Sequence, residues 1–243
     1  MPEPREGSNE GIERILVVSA HPDDVDFGVA GSIATWTATG IDVSYCMVTD
    51  GDAGGSDREM SRPEMARIRR EEQTAAAATV GVTDLHWLAH PDGRLQPTIE
   101  LRRDISRVIR IVRPQRVVCQ SPERIWERVF ASHPDHLAAG EAAIDAVYPD
   151  ARNPFAHPEL LAAGYEPWTV AQLWLFAHPE SDVYVETTAT IDKKITALLC
   201  HVSQIPDPPG LDQRIREWGA ANGAAVGLAD GRTAELFKAI DAG

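Results

Sequence analysis

Short runs of apolar, β-branched residues alternate along this chain with longer stretches of helical periodicity. Residues 12–19 (IERILVVS), 41–48 (IDVSYCMV), 83–88, 116–120 (RVVCQ), 170–176 (VAQLWLF) and 183–187 have the length and content of strands. Between or after them, 28–39, 60–80, 98–112, 136–148 and 191–201 carry the spacing of helices. Gly40 and Gly81 stand just past the first two helices, and Pro114 stops the third. Alternation of this kind predicts an α/β protein: a three-layer sandwich with a mostly parallel sheet covered on both faces. Elsewhere the pattern loosens. Residues 121–132 are irregular, 149–168 are proline-rich and read as a surface excursion, and the C-terminal third reads as Ala- and Gly-rich helix and loop. The polar residues 1–11 predict a disordered tail, and 12–243 a single domain without internal repeats.

Composition narrows the class. The chain has 243 residues, 43% hydrophobic and 25% charged, enough for one substantial core. A net charge of -14 disfavours nucleic acid and anionic lipid as partners. No apolar run has the length to insert in a membrane, and residues 1–11 hold no apolar signal segment, so the expectation is a cytoplasmic protein. Cys46, Cys119 and Cys200 are scattered through apolar stretches and read as small core residues, neither a disulfide framework nor a cysteine metal site. Homo-oligomer formation is left open by the sequence.

Two clusters carry candidate chemistry. The first, Ala20-His21-Pro22-Asp23-Asp24, follows the first strand directly. In a parallel sheet the carboxyl ends of the strands form the binding crevice, so this cluster faces it. His21 and Asp24 suit zinc, or another divalent metal such as Fe2+. Asp23, between them, is placed to take a proton from a metal-bound water. The second cluster, Ser132-His133-Pro134-Asp135-His136, follows the fourth strand on the same edge and offers a third ligand and a further imidazole. Three protein ligands with an open position is a catalytic arrangement. Five of the eight histidines precede proline, so a His-Pro pair alone means little. His157 and His178 read as ordinary loop residues, and His90 has no ligand partner at useful spacing. Asp135 reads as a helix cap or as an orienting partner of His136. The one glycine signal, Gly28-x-x-Gly31, lacks the pattern that admits a pyrophosphate, which argues against nucleotide binding.

AHPDD after the first strand, with SHPDH far downstream, resembles the PIG-L or LmbE-like family of zinc-dependent N-deacetylases and amidases. Thr49-Asp50-Gly51, residues 69–81, Pro91-Asp92-Gly93 and residues 191–204 also resemble family segments, so the similarity runs over residues 12–204. The resemblance implies an LmbE-like, Rossmann-like fold. It implies zinc on His21, Asp24 and His136, with Asp23 as general base. His133 would stabilise the tetrahedral intermediate or protonate the leaving amine, while Arg69 and Asp92 would contact a sugar. The implied reaction is removal of an acetyl or other acyl group from an N-acetylglucosamine-like amide, a small-molecule amino-sugar substrate. An amidase acting on a sugar–thiol conjugate or a secondary-metabolite amide is the alternative, and a non-catalytic metal-binding homologue the third reading. Two positions depart from the family pattern. Val25 stands where an acidic residue is common, with Asp26 one further on, and Val129, Phe130 and Ala131 stand where some members carry a tyrosine.

Overall fold

A computed structural model describes residues 4–55 and 57–243, with the side chains of Phe130 and Ala131 outside the described set. Eight strands form one sheet: β1 (Arg5–Glu6), β2 (Arg14–Ser19), β3 (Asp42–Thr49), β4 (Asp84–His90), β5 (Arg116–Gln120), β6 (Gln172–Phe176), β7 (Val183–Glu186) and β8 (Ala234–Asp241). Their order is β1-β7-β8-β6-β5-β2-β3-β4. Every pairing is parallel except the two made by β8, which runs antiparallel to β6 and β7.

The helices are α1 (Asp24–Ala38), α2 (Arg62–Thr79), α3 (Ile99–Val112), α4 (Pro134–Asp145), α5 (Pro158–Ala162), α6 (Ile191–Leu199) and α7 (Pro208–Ala225). Successive strand residues point to opposite faces. Ile15 and Val17 of β2 therefore join one core with α1, α2 and α6, while Leu16 and Val18 join a second with α3 and α4. Both layers are closed, which is why the strand runs are apolar throughout rather than alternating. The three-layer sandwich read from the sequence is the observed architecture. Among the described residues no helix is long and apolar enough to cross a membrane.

Helix starts follow local chemistry. Ser61 caps α2 by accepting from Glu64 N–H, and Thr98 caps α3 by accepting from Leu101 N–H. α4 begins at Pro134, two residues before the expected start, because proline suits the first helical position and His133 serves as its cap. α1 begins at Asp24, a turn earlier than its apolar spacing suggests, so the candidate ligand lies inside the helix.

Two segments differ from expectation. Residues 4–11 are not loose: β1 pairs with β7, and Arg116 donates to Ser8 O at 2.6 Å and to Asn9 Oδ1 at 2.9 Å. Its guanidinium lies 3.7 Å from the Trp174 ring centroid, a contact that a polar tail conceals. The C-terminal third contains β8, whose charged Glu235 and Lys238 hide a strand.

Gly140 sets how close α4 sits to β5. A Cβ there would lie 2.3 Å from Gln120 O. Gly140→Ala is expected to push the helix off the strand at a cost of about 1–3 kcal/mol. Chemical denaturation checks this; an unchanged midpoint would contradict the packing.

Candidate active site

β2 and β5 are neighbours at the point where the chain order reverses, and their carboxyl ends hold the site. Gln120 Oε1, at the end of β5, accepts from Ala20 N–H at 2.9 Å and ties the two ends together. β2 leads into His21, Asp23 and Asp24, and the close packing of α4 brings His133 and His136 to the same place.

His21, His133 and His136 form a triangle with every pair of ring centroids 5.2 Å apart. Asp24 lies between two of them. Its Oδ2 is 3.1 Å from His21 Nδ1, and its Oδ1 is 3.0 Å from His136 Nε2. The other nitrogen of His21 is held from behind, with Nε2 3.0 Å from Asp92 Oδ1 and 3.3 Å from Asp135 Oδ2. Both carboxylates are themselves fixed: Asp92 accepts from Ala53 N–H, and Asp135 from Gly93 and Leu95 N–H. A cation that displaced the Nδ1 proton would find that nitrogen beside Asp24 while Nε2–H stays on Asp92 and Asp135, as in a metal-binding imidazole with an orienting carboxylate.

Among the described residues, two triads bring their ligand atoms within 4.8 Å of one another: His21–His133–His136 and His21–Asp92–Asp135. The second has its carboxylate oxygens committed to backbone N–H groups and reads as the support of His21. In the first, His133 is the exposed member and uses Nδ1 to accept from Asp135 N–H at 3.2 Å. Asp24, touching both His21 and His136, completes a set of two imidazoles and one carboxylate that fits a divalent metal.

The charges agree with that fit. Burial works against a protonated His21, yet hydrogen bonds to Asp135, Asp24 and Asp92 hold its pKa at about 12. Burial likewise opposes charge on Asp24, but His136 and His21 take it well below the usual carboxylate range. A cage of this sign attracts a cation. Asp23 behaves differently: burial and the Asp24 charge push it up to about 7 against the pull of Arg69. His133 is lowered by burial and by His21 and His136.

Asp23 precedes α1 with φ of 85°, a strained value for a residue with a side chain. The surroundings impose it. Gln73 Oε1 accepts from Asp23 N–H at 2.8 Å, and Arg69 donates to Pro22 O at 2.5 Å and Asp23 Oδ2 at 3.0 Å. Gln73 in turn donates to Asp26, which also meets His201 Nε2 at 2.8 Å. Gln73, Asp26 and His201 are all fully buried. Sequence reasoning left this network out; Asp26 stood in view beside Val25, but nothing local pairs it with residues 73 and 201.

The sequence candidates thus converge. His21, Asp23, Asp24, His133 and His136 share one cleft, with Asp92 behind His21 and Arg69 behind Asp23. Arg69 is 4% exposed and Asp92 6%. Asp135 orients His21 rather than His136, and His133, not Asp135, caps α4. The segment before the second cluster supplies Ile125 and Arg128 to an adjoining cavity, whereas no residue of 149–168 lines it. Val129 is exposed; the side chains of Phe130 and Ala131 lie outside the described residues.

With this geometry in view, comparison with known proteins is decisive. Residues 16–147 match the family model PIG-L, GlcNAc-PI de-N-acetylase. The chain belongs to the PIG-L family. It is 34% identical to diacetylchitobiose deacetylase of Thermococcus kodakarensis over 81% of this chain and 72% of that protein. It is 32% identical to a probable N-acetyl-alpha-D-glucosaminyl L-malate deacetylase 2 of Bacillus cereus, over 78% of this chain and 83% of the relative. The solved structure of N,N'-diacetylchitobiose deacetylase from Pyrococcus horikoshii superposes with a TM-score of 0.88 at 28% identity, covering 96% of this chain and 86% of that one. Members of this group are hydrolases of amide bonds, and this PIG-L chain is an enzyme of that class.

Proposed function

We propose that this protein is a metal-dependent N-deacylase of amino-sugar amides, with zinc held by His21, Asp24 and His136. The observation that carries the reading is the pairing of His21 Nδ1 and His136 Nε2 on the two oxygens of Asp24, while Asp92 and Asp135 hold His21 from behind. Zinc bound there supplies a water acidified to a pKa of about 7 and a Lewis acid for the carbonyl. Fe2+ suits the same donors.

The chain's own groups supply the rest. Asp23, with one oxygen on Arg69, takes the proton of the attacking water on its other oxygen. His133, on the open side, donates a hydrogen bond to the developing oxyanion, and the proton taken by Asp23 passes on to the leaving nitrogen. The contacts of Arg69 and Asp92 support roles in positioning Asp23 and His21 over direct sugar contact.

Acetate release from N-acetylglucosamine and chitobiose derivatives tests the activity. Elemental analysis should find about one metal per chain. Chelation should abolish turnover and lower Tm, since metal at a hundredfold excess over its Kd adds about 2.7 kcal/mol. His21→Ala should lose the metal. Stoichiometric zinc retained in that variant would sink the ligand assignment.

A further inference from the structure

Beside the metal ligands, between α1, α6, α7 and the ends of β6 and β8, lies a cavity of about 250 Å³. Asp24 and His136 form part of its wall, but Asp23, Arg69, Asp92 and His133 do not. The reaction centre thus has two sides of different chemistry.

The cavity side is largely apolar, with Phe27, Phe176, Ile191, Ile215, Trp218 and Leu236 on its wall. Lys194, Glu235, Asn222 and Thr187, four of the polar side chains on its wall, already have partners. Lys194 Nζ donates to Glu235 Oε1 at 2.5 Å and to Phe27 O at 2.7 Å. Glu235 also accepts from Gly31 and Ser32 N–H. Asn222 donates to Ala234 O, and the Thr187 hydroxyl is shared with that of Thr233. A sugar has several hydroxyl groups, and each one buried without a partner costs free energy. An alkyl chain needs no partners and gains from leaving water. A cavity of roughly 150 Å³ already holds the six carbons of benzene, so this one has room for at least that many, far more than the methyl of an acetyl group.

We propose that this cavity receives the acyl chain of the substrate, and that the preferred acyl group is longer than acetyl. The proposal rests on the deacylase reading of the metal site. The amino sugar then occupies the polar side and the chain runs past Asp24 and His136. Water adds to the carbonyl carbon and the C–N bond breaks. The nitrogen gains a proton and leaves as the free amine, and the acyl group leaves as a medium-chain carboxylate, with no change of oxidation state.

The experiment compares kcat/KM of the metal-loaded enzyme for N-acetyl-, N-butanoyl-, N-hexanoyl- and N-octanoylglucosamine. Each methylene that enters the cavity should raise kcat/KM by up to about fourfold, for a total gain of at least tenfold by hexanoyl. Leu236→Trp, which fills the cavity, should bring the hexanoyl-to-acetyl ratio down near one. Calorimetry should find hexanoate bound at least tenfold more tightly than acetate to the wild type, with that margin lost in Leu236→Trp. Hydrolysis of the acetyl substrate with a flat or falling chain-length profile would overturn the acyl pocket and leave the deacylase reading standing. No turnover of any chain by protein shown to hold its metal would overturn both.

Discussion

Asp23→Asn should lose about three orders of magnitude in kcat while keeping its metal, within the 10²–10⁴-fold range of a general acid–base group. Asparagine is the informative replacement because residue 23 has φ of 85°. Asn tolerates left-handed backbone well, so the entry to α1 should survive. It also retains an oxygen for the guanidinium of Arg69, which donates to Asp23 Oδ2 at 3.0 Å. Only the capacity to accept a proton disappears. The loss should fall on kcat with KM little changed, since the group acts in the transition state rather than in binding. Elemental analysis of the same sample separates this outcome from loss of metal. Full metal content with more than a tenth of wild-type turnover would place the base elsewhere.

That test is sharp because the local context of Asp23 is assembled from afar. The sequence displays the proposed ligands themselves, since His21 and Asp24 are three residues apart and follow an apolar strand. It also displays the sandwich, because each parallel strand buried on both faces is a compact apolar run. What holds the site in shape is invisible to local reading. His21 Nε2 is fixed by Asp92 and by Asp135, 114 residues away, and each looks like a turn or cap residue in its own neighbourhood. Gln73 and His201 meet only at Asp26. β8 failed to register for the same reason: Glu235 in a strand reads as a surface residue until Lys194 is found against it. Residues 4–11 look unstructured because the partners that order them, β7 and Arg116, come much later in the chain.

Lys194→Met should destabilise the protein by about 3–5 kcal/mol, the usual cost of leaving one buried charge without its partner. Lys194 and Glu235 expose 4% and 5% of their side chains. Removing the ammonium leaves a carboxylate among apolar side chains with only the Gly31 and Ser32 N–H groups to hold it. For a domain of this size each kcal/mol shifts Tm by about 2–4 °C, so a fall of about 10 °C is expected. The double variant Lys194→Met/Glu235→Gln removes both charges and keeps an oxygen for those N–H groups. It should recover more than half of the lost stability, whereas simple loss of packing by the lysine stem would not be reversed. The consequence reaches the proposed metal site through α1. Lys194 holds Phe27 O, three residues from Asp24, so freeing that carbonyl loosens the first turn of the helix that presents this proposed ligand. Metal affinity of Lys194→Met, measured by competition with a chelator, should therefore fall together with Tm and return with it in the double variant. A Tm within about 2 °C of wild type, or less than 1 kcal/mol, would show that the pair does not hold the helix in place.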